Sequence, residues 1–123
     1  MPGQQSLNRL RRGQRLKDPS DFTRVFAEAA RSGDDRLVVL ATLNTVGYGR
    51  IGLAVGKKAV RRAVDRNRIK RVARETFRVH QHRFDGLDVV VLARRGLGEL
   101  SPKDLAMRIE RHLIRAKKRC ANR

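Results

Sequence analysis

Residues 57–80 contain neither proline nor glycine, and residues 57–74 carry nine basic side chains against one acid, Asp65. Such a segment permits a helix, and the pattern is firmest after Asp65. On a helix, Ile69, Val72, Ala73 and Thr76 fall on one side. Asn67, Arg71, Arg74 and Arg78 fall on the other, with Arg68 and Lys70 on the flanks. The segment is therefore an amphipathic helix that needs an apolar partner for one side only. Like charges one turn apart cost about 0.2–0.5 kcal/mol per pair. A merely solvated face mixes signs, so this ridge points to a polyanion.

The rest of the chain supplies the partner. Pro19-Ser20-Asp21 starts a helix, with Ser20 or Asp21 as cap. Phe22, Val25, Phe26, Ala29 and Ala30 form its apolar stripe, and Gly33 ends it. Leu37–Thr45 reads as a strand, Val46-Gly47-Tyr48-Gly49 as a turn, and Arg50–Val55 as a second strand forming a hairpin with the first. Asp88–Ala93 is a buried-type strand. Ser101 caps a last helix with Pro102 at its first position, and Leu105, Ile109, His112 or Leu113, and Ala116 form its inner stripe. The order is helix, two or three strands, helix, strand, helix. This is an α+β fold: a two-layer sandwich of three helices on a mixed sheet of about four strands. One domain over 1–123 is expected, with a basic arm at 1–18, extended or loosely packed in part, and a basic tail at 117–123.

Charge narrows the partners. Thirty Lys and Arg oppose 12 Asp and Glu, a net of +18. A body so charged attracts polyanions. Arginine outnumbers lysine 23 to 7, and its planar fork grips phosphate bidentately. DNA groove binding fits less well, because a helix-turn-helix needs a helix where a strand is read. The longest apolar stretches, Leu37–Ala41 and Val89–Ala93, are strand-length, far short of the roughly 20 residues of a membrane helix. With no signal peptide pattern, a cytoplasmic protein without a membrane partner is expected. A single cysteine, Cys120, forms no internal disulfide and is expected as a solvated tail thiol.

A self-sufficient nuclease would need a base, a metal site or a nucleophile. His80, His82 and His112 read as isolated surface or core-edge histidines. Asp65 and Glu75 read as partners of neighbouring arginines, and Asp88 as a strand-end acid. No catalytic residue and no protein metal site is expected. Composition alone does not exclude a pure binding module, such as a ribosomal protein.

The run Arg-Asn-Arg-Ile-Lys-Arg-Val-Ala-Arg-Glu (Arg66 to Glu75), preceded by Gly56-Lys57-Lys58, resembles the signature of the bacterial ribonuclease P protein component. Asp21-Phe22 with Val25-Phe26, Arg50-Ile51-Gly52-Leu53, and Asp88 to Arg94 resemble further family segments in the same order. The likeness spans about Leu10 to Arg115.

The resemblance implies a catalytic RNA as partner, one protein per RNA, and precursor tRNA as substrate. The holoenzyme, an endoribonuclease, hydrolyses one phosphodiester bond to release the 5′ leader. The chemistry belongs to the RNA and its Mg2+ ions. The resemblance also implies a left-handed crossover between parallel strands. It assigns RNA contacts to the basic helix motif, Lys57, Lys58, Arg62, Arg66, Asn67, Arg68, Lys70, Arg71 and Arg74. It assigns the leader cleft to Phe22 and Phe26, whose helical spacing fits plain core as well. Some members place an aromatic on the first strand, where this chain has Ala41. Tyr48, in a turn, does not replace it.

Overall fold

A computed structural model describes residue 10 and residues 12–122. Asp18, extended at φ −74° and ψ 128°, caps the first helix, α1 (Pro19–Glu28), by accepting the Ser20 N–H. The cap is thus one residue ahead of the Pro-Ser-Asp start, and Pro19 takes the first turn, where no N–H is needed.

The helix also ends earlier than its stripe predicts. After Glu28 the chain turns extended and forms β1 (Ala30–Gly33). Ala30 and Ser32 face inward, while Arg31 and Gly33 face out. Ala29 and Ala30 continue the helical spacing of the apolar residues by coincidence. Four residues are too few to display alternation in sequence. Asp34 shapes the following turn by accepting the N–H groups of Arg36 (2.8 Å) and Leu37 (3.1 Å).

The remaining strands are β2 (Leu37–Leu43), β3 (Arg50–Ala54) and β4 (Leu87–Ala93), in sheet order β1-β2-β4-β3. The β2–β3 hairpin expected from the turn does not form. β2 pairs antiparallel with β1 and with β4, from Leu37 opposite Ala93 to Leu43 opposite Leu87. β3 lies parallel to β4, from Arg50 beside Asp88 to Ala54 beside Leu92. The reason is burial: β4 is apolar on both faces, and such a strand is stable in the middle of a sheet. Short β3, with Gly52 at its centre, takes the edge. The 44–49 link crosses the start of β4, where the Asn44 N–H donates to the Gly86 carbonyl at 2.8 Å.

The basic segment becomes α2 (Ala63–Val79), the crossover between parallel β3 and β4. It buries Ile69, Ala73 and Phe77. The last helix, α3 (Pro102–Ala121), is capped by Ser101 Oγ accepting the Asp104 N–H at 3.2 Å, as expected. It runs through the segment expected as a tail. Cys120 therefore lies buried on its inner stripe beside Ala116, and is not a solvated thiol.

Two apolar layers result. Leu37, Val39, Ala41, Val89 and Val91 pack beneath α2 and α3. Val38, Leu40 and Val90 pack on the other face with Val25 of α1 and Leu16. Side chains alternate along a strand, so Ala41 faces the helical layer. An aromatic at that position would lie in the main core, not on the α1 face.

The basic arm is described only from residue 10 onward, Arg11 excepted. Residues 12–14 form a 3-10 turn, and Arg15 bridges Ile51 of β3. Leu16 donates its N–H to the Ile51 carbonyl at 2.8 Å, and Gln14 and Leu16 are buried. This part of the arm is docked, covering the open edge of β3.

Candidate nucleic-acid interface

Helix α2 buries one stripe and turns Asn67 and Arg71 outward, with Lys70 and Arg74 half-buried on the β3 flank. Lys57, Lys58 and Arg62, grouped with the helix in the sequence reading, lie before it. Residues 57–59 form a turn, and the helix begins only at Ala63. The half-buried Ala59 and buried Val60 hold this segment against the fold, and the Val60 N–H donates to the Gly56 carbonyl at 3.0 Å.

The arginines of this region divide into two groups. Arg66 folds back to donate to the carbonyls of Val60 (3.0 Å) and Arg61 (2.7 Å), fixing the 57–62 segment. Arg68, expected as an RNA contact, points to the opposite flank. Its two terminal nitrogens donate to the Leu100 carbonyl at 2.8 Å and the Gly98 carbonyl at 2.6 Å. Asp65 stands 3.9 Å from it. Arg78 is paired with Glu75, whose carboxyl is held below its usual range first by that hydrogen bond. In contrast, Lys57, Lys58, Arg61, Lys70, Arg71 and Arg74 have no side-chain ion pair or hydrogen bond among the described residues. Burial lowers the Arg74 pKa, and the nearby Arg15 charge lowers it further.

The Arg66 and Arg68 clamps draw two loops together. Between the 57–62 segment and the 95–99 turn lies an open groove of about 970 Å3. Lys57, Lys58, Arg61, Arg62 and Arg95 line it, against the acids Asp65 and Glu99.

On the other face, the Phe22 ring lies on β3 at Gly52. A β-carbon there would stand 2.7 Å from Phe22 Cζ, so glycine is what lets the ring approach the strand this closely. Phe22 is half-buried and Phe26 is 39% exposed. Phe22 thus packs partly on the Leu16–Val25–Val38 layer while keeping some surface, and Phe26 is open to solvent on the α1 side.

Beside them is a group that sequence reasoning missed. Asp88 is fully buried. Arg50 binds its two oxygens at 2.7 and 2.8 Å, Asn44 donates at 2.9 Å, and Arg24 reaches across from α1. Burial raises the Asp88 pKa, but the bonds from Arg50, Asn44 and Arg24 outweigh it, and the group is held below the ordinary carboxylate value. Asp88 thus fastens α1 and β3 to β4. Nothing local in the sequence marks it, because its partners are 38 to 64 residues away.

The histidines offer no free base pair. His80 sits 3.2 Å from Glu110. His112 is buried between Ser32 Oγ (2.9 Å) and Asp34 (3.1 Å). The Ser-His-Asp composition is that of a hydrolase relay, but Ser32 is 2% exposed beneath α3 and cannot meet a substrate. The set instead pins α3 to β1. Among the described residues, no cluster of His, Cys, Asp or Glu could hold a metal ion, and no helix is long and apolar enough to cross a membrane.

A family profile for ribonuclease P matches residues 10–117. The chain belongs to the ribonuclease P protein family. It is similar to the ribonuclease P protein component of Yersinia enterocolitica, 47% identical over 97 residues, covering 79% of this chain and 82% of that one. The Pectobacterium atrosepticum protein component is 46% identical over the same extent. The structure of the Staphylococcus aureus ribonuclease P protein superposes with a TM-score of 0.78 at 31% identity, covering 85% of this chain and 95% of that one. The Thermotoga maritima protein gives 0.70 at 30% identity, covering 85% and 96%. The chain is thus a protein subunit of an endoribonuclease holoenzyme that works with a ribonuclease P RNA, in 5′ leader processing of tRNA.

Proposed function

We propose that the subunit binds the catalytic RNA through the outward ridge of α2 and the basic groove, and holds the precursor tRNA leader on the α1–β3 face. One observation carries this reading. Six cations, Lys57, Lys58 and Arg61 at the groove and Lys70, Arg71 and Arg74 along α2, stand without a carboxylate partner among the described residues. Asn67 adds a neutral donor and acceptor among them. Arg62 and Arg66 keep further nitrogens for phosphate. Arg68 acts through the groove wall that it holds.

Phe22 and Phe26 offer rings on which unpaired bases of any sequence can stack, at about 1–3 kcal/mol per base. That tolerance suits leaders that differ between tRNAs. On the family resemblance, the Mg2+ ions of the reaction are assigned to the RNA. The protein's part is positioning and charge neutralisation. One protein per RNA, acting in the cytoplasm, completes the reading.

The test is single-turnover cleavage of precursor tRNA at low magnesium with a bacterial ribonuclease P RNA, with and without the protein, plus the protein alone. Stimulation with the correct mature 5′ end, and no cutting by protein alone, is expected. Cleavage by protein alone would refute the division of labour. No effect in any lane would refute the reading. With about six phosphates neutralised, log K against log salt should slope at about −4 to −5.

A further inference from the structure

The docked arm and the basic helix meet at one point. There a cavity of about 350 Å3 is lined by Leu10, Arg15, Arg71, Arg74, Glu75 and Arg78. We propose that Arg15, Arg71 and Arg74 form a phosphate pocket, and that its ligand is a phosphodiester of an RNA backbone. The proposal deepens the reading above and rests on it. What it adds is a residue of the arm and a defined place.

The charge balance of the cavity supports this. Its one acid, Glu75, has both oxygens engaged by Arg78. That leaves Arg15, Arg71 and Arg74, none with a side-chain partner among the described residues. Three like charges around one cavity repel each other, and burial together with the Arg15 charge makes Arg74 easier to deprotonate. An anion in the cavity removes that repulsion.

Arg15 is not a loose surface arginine. Its backbone bridges Ile51, and its neighbours Gln14 and Leu16 are buried. Gln14 also donates to the Gly49 carbonyl at 3.2 Å and to Gln81 Oε1 at 2.9 Å. The backbone that carries this exposed side chain is therefore fixed beside the cavity, which removes part of the ordering cost of binding. Leu16 continues across the β3 edge to the Gly52 site where Phe22 lies. The pocket thus lies between the α2 ridge and the α1–β3 face, so the phosphate comes either from the catalytic RNA or from the leader.

The experiment uses the full chain with Arg15→Gln, and Arg15→Lys as the charge-retaining control. Affinity is titrated against salt in two arms: the catalytic RNA alone, and the assembled holoenzyme with precursor tRNA bearing or lacking a leader. Loss of one charge-assisted contact should weaken one arm about tenfold. The salt slope there should shrink by about 0.7–0.9, and Arg15→Lys should keep most of it. Weakening with the catalytic RNA assigns the phosphate to that RNA; weakening only with leader-bearing substrate assigns it to the leader.

Thermal unfolding of free Arg15→Gln should be unchanged or shifted upward, because repulsion is removed. A lowered Tm with an unchanged slope would make Arg15 a structural residue and overturn the pocket. Wild-type affinity and slope in both arms would overturn it too. If the wild-type chain itself binds neither RNA, the ribonuclease P reading falls first and the pocket with it.

Discussion

Arg68→Ala separates clamp from contact within one short motif. The side chain is 21% exposed, and its two terminal nitrogens lie on backbone carbonyls of the 98–100 turn. Hydrogen bonds to charged groups contribute about 1.5–3 kcal/mol each. Partial exposure lets water recover some of this, so the pair is worth about 2–3 kcal/mol. In a chain this size each kcal/mol moves Tm by about 3–5 °C, giving a fall of about 6–15 °C. Arg68→Lys should recover little, because one ammonium cannot reproduce the planar fork. Arg71→Ala should do the opposite. That side chain is exposed and unpartnered, so Tm should hold while the salt slope of RNA binding falls by about 0.7–0.9. Thermal unfolding by circular dichroism and salt-dependent RNA binding, run on all three variants, give the answer. An Arg68→Ala protein with unchanged Tm and a reduced salt slope would refute the clamp.

Asp88→Asn should cost about 3–5 kcal/mol, since it leaves Arg50 and Arg24 without their buried counter-charge. The folded-state pKa of Asp88 lies below its unfolded value. Its stabilisation is therefore complete above about pH 4 and is lost as pH falls through the folded value. Urea unfolding at neutral and acid pH should show a shallower acid loss in Asp88→Asn, and an unchanged acid loss would contradict the assignment. Gly52→Val should displace the Phe22 ring, at about 1–3 kcal/mol of overpacking. It should weaken binding of leader-bearing precursor tRNA by the holoenzyme more than binding of the catalytic RNA; equal losses would place the leader elsewhere.

The helix pattern of residues 63–79 was legible because its apolar period and its charge are local properties. The same holds for the Ser101 cap and for the both-face burial of β4, which a continuous apolar run announces. Strand pairing was not legible. The turn at 46–49 says that the chain reverses, but not that β4, some forty residues later, enters between the two strands. Asp88 and Arg68 show the same limit at side-chain level. A strand-end acid and a motif arginine look like any others until the topology brings Arg50, Arg24 and the 98–100 carbonyls to them. Cys120 was misplaced because a Lys-Lys-Arg run looks solvated, although a helix that buries every third or fourth residue keeps its inner stripe to the end.

The division of the arginines has a consequence for the whole molecule. Arg24, Arg50, Arg68 and Arg108 hold the fold together through carboxylates and carbonyls, whereas Lys70, Arg71 and Arg74 of α2 have no ion-pair partner among the described residues. At +18 the free protein repels itself, most strongly where those cations crowd. Screening should relieve this, since the Debye length falls from about 30 Å at 0.01 M salt to about 8 Å at 0.15 M. Raising salt should therefore raise the Tm of the free protein while it weakens the complex with RNA. The internal pairs around Asp88 are buried and respond little to salt, so they do not reverse the sign. A Tm that falls with salt would mean that surface ion pairs outweigh the cation surplus, and the ridge would then be balanced rather than held ready for phosphate.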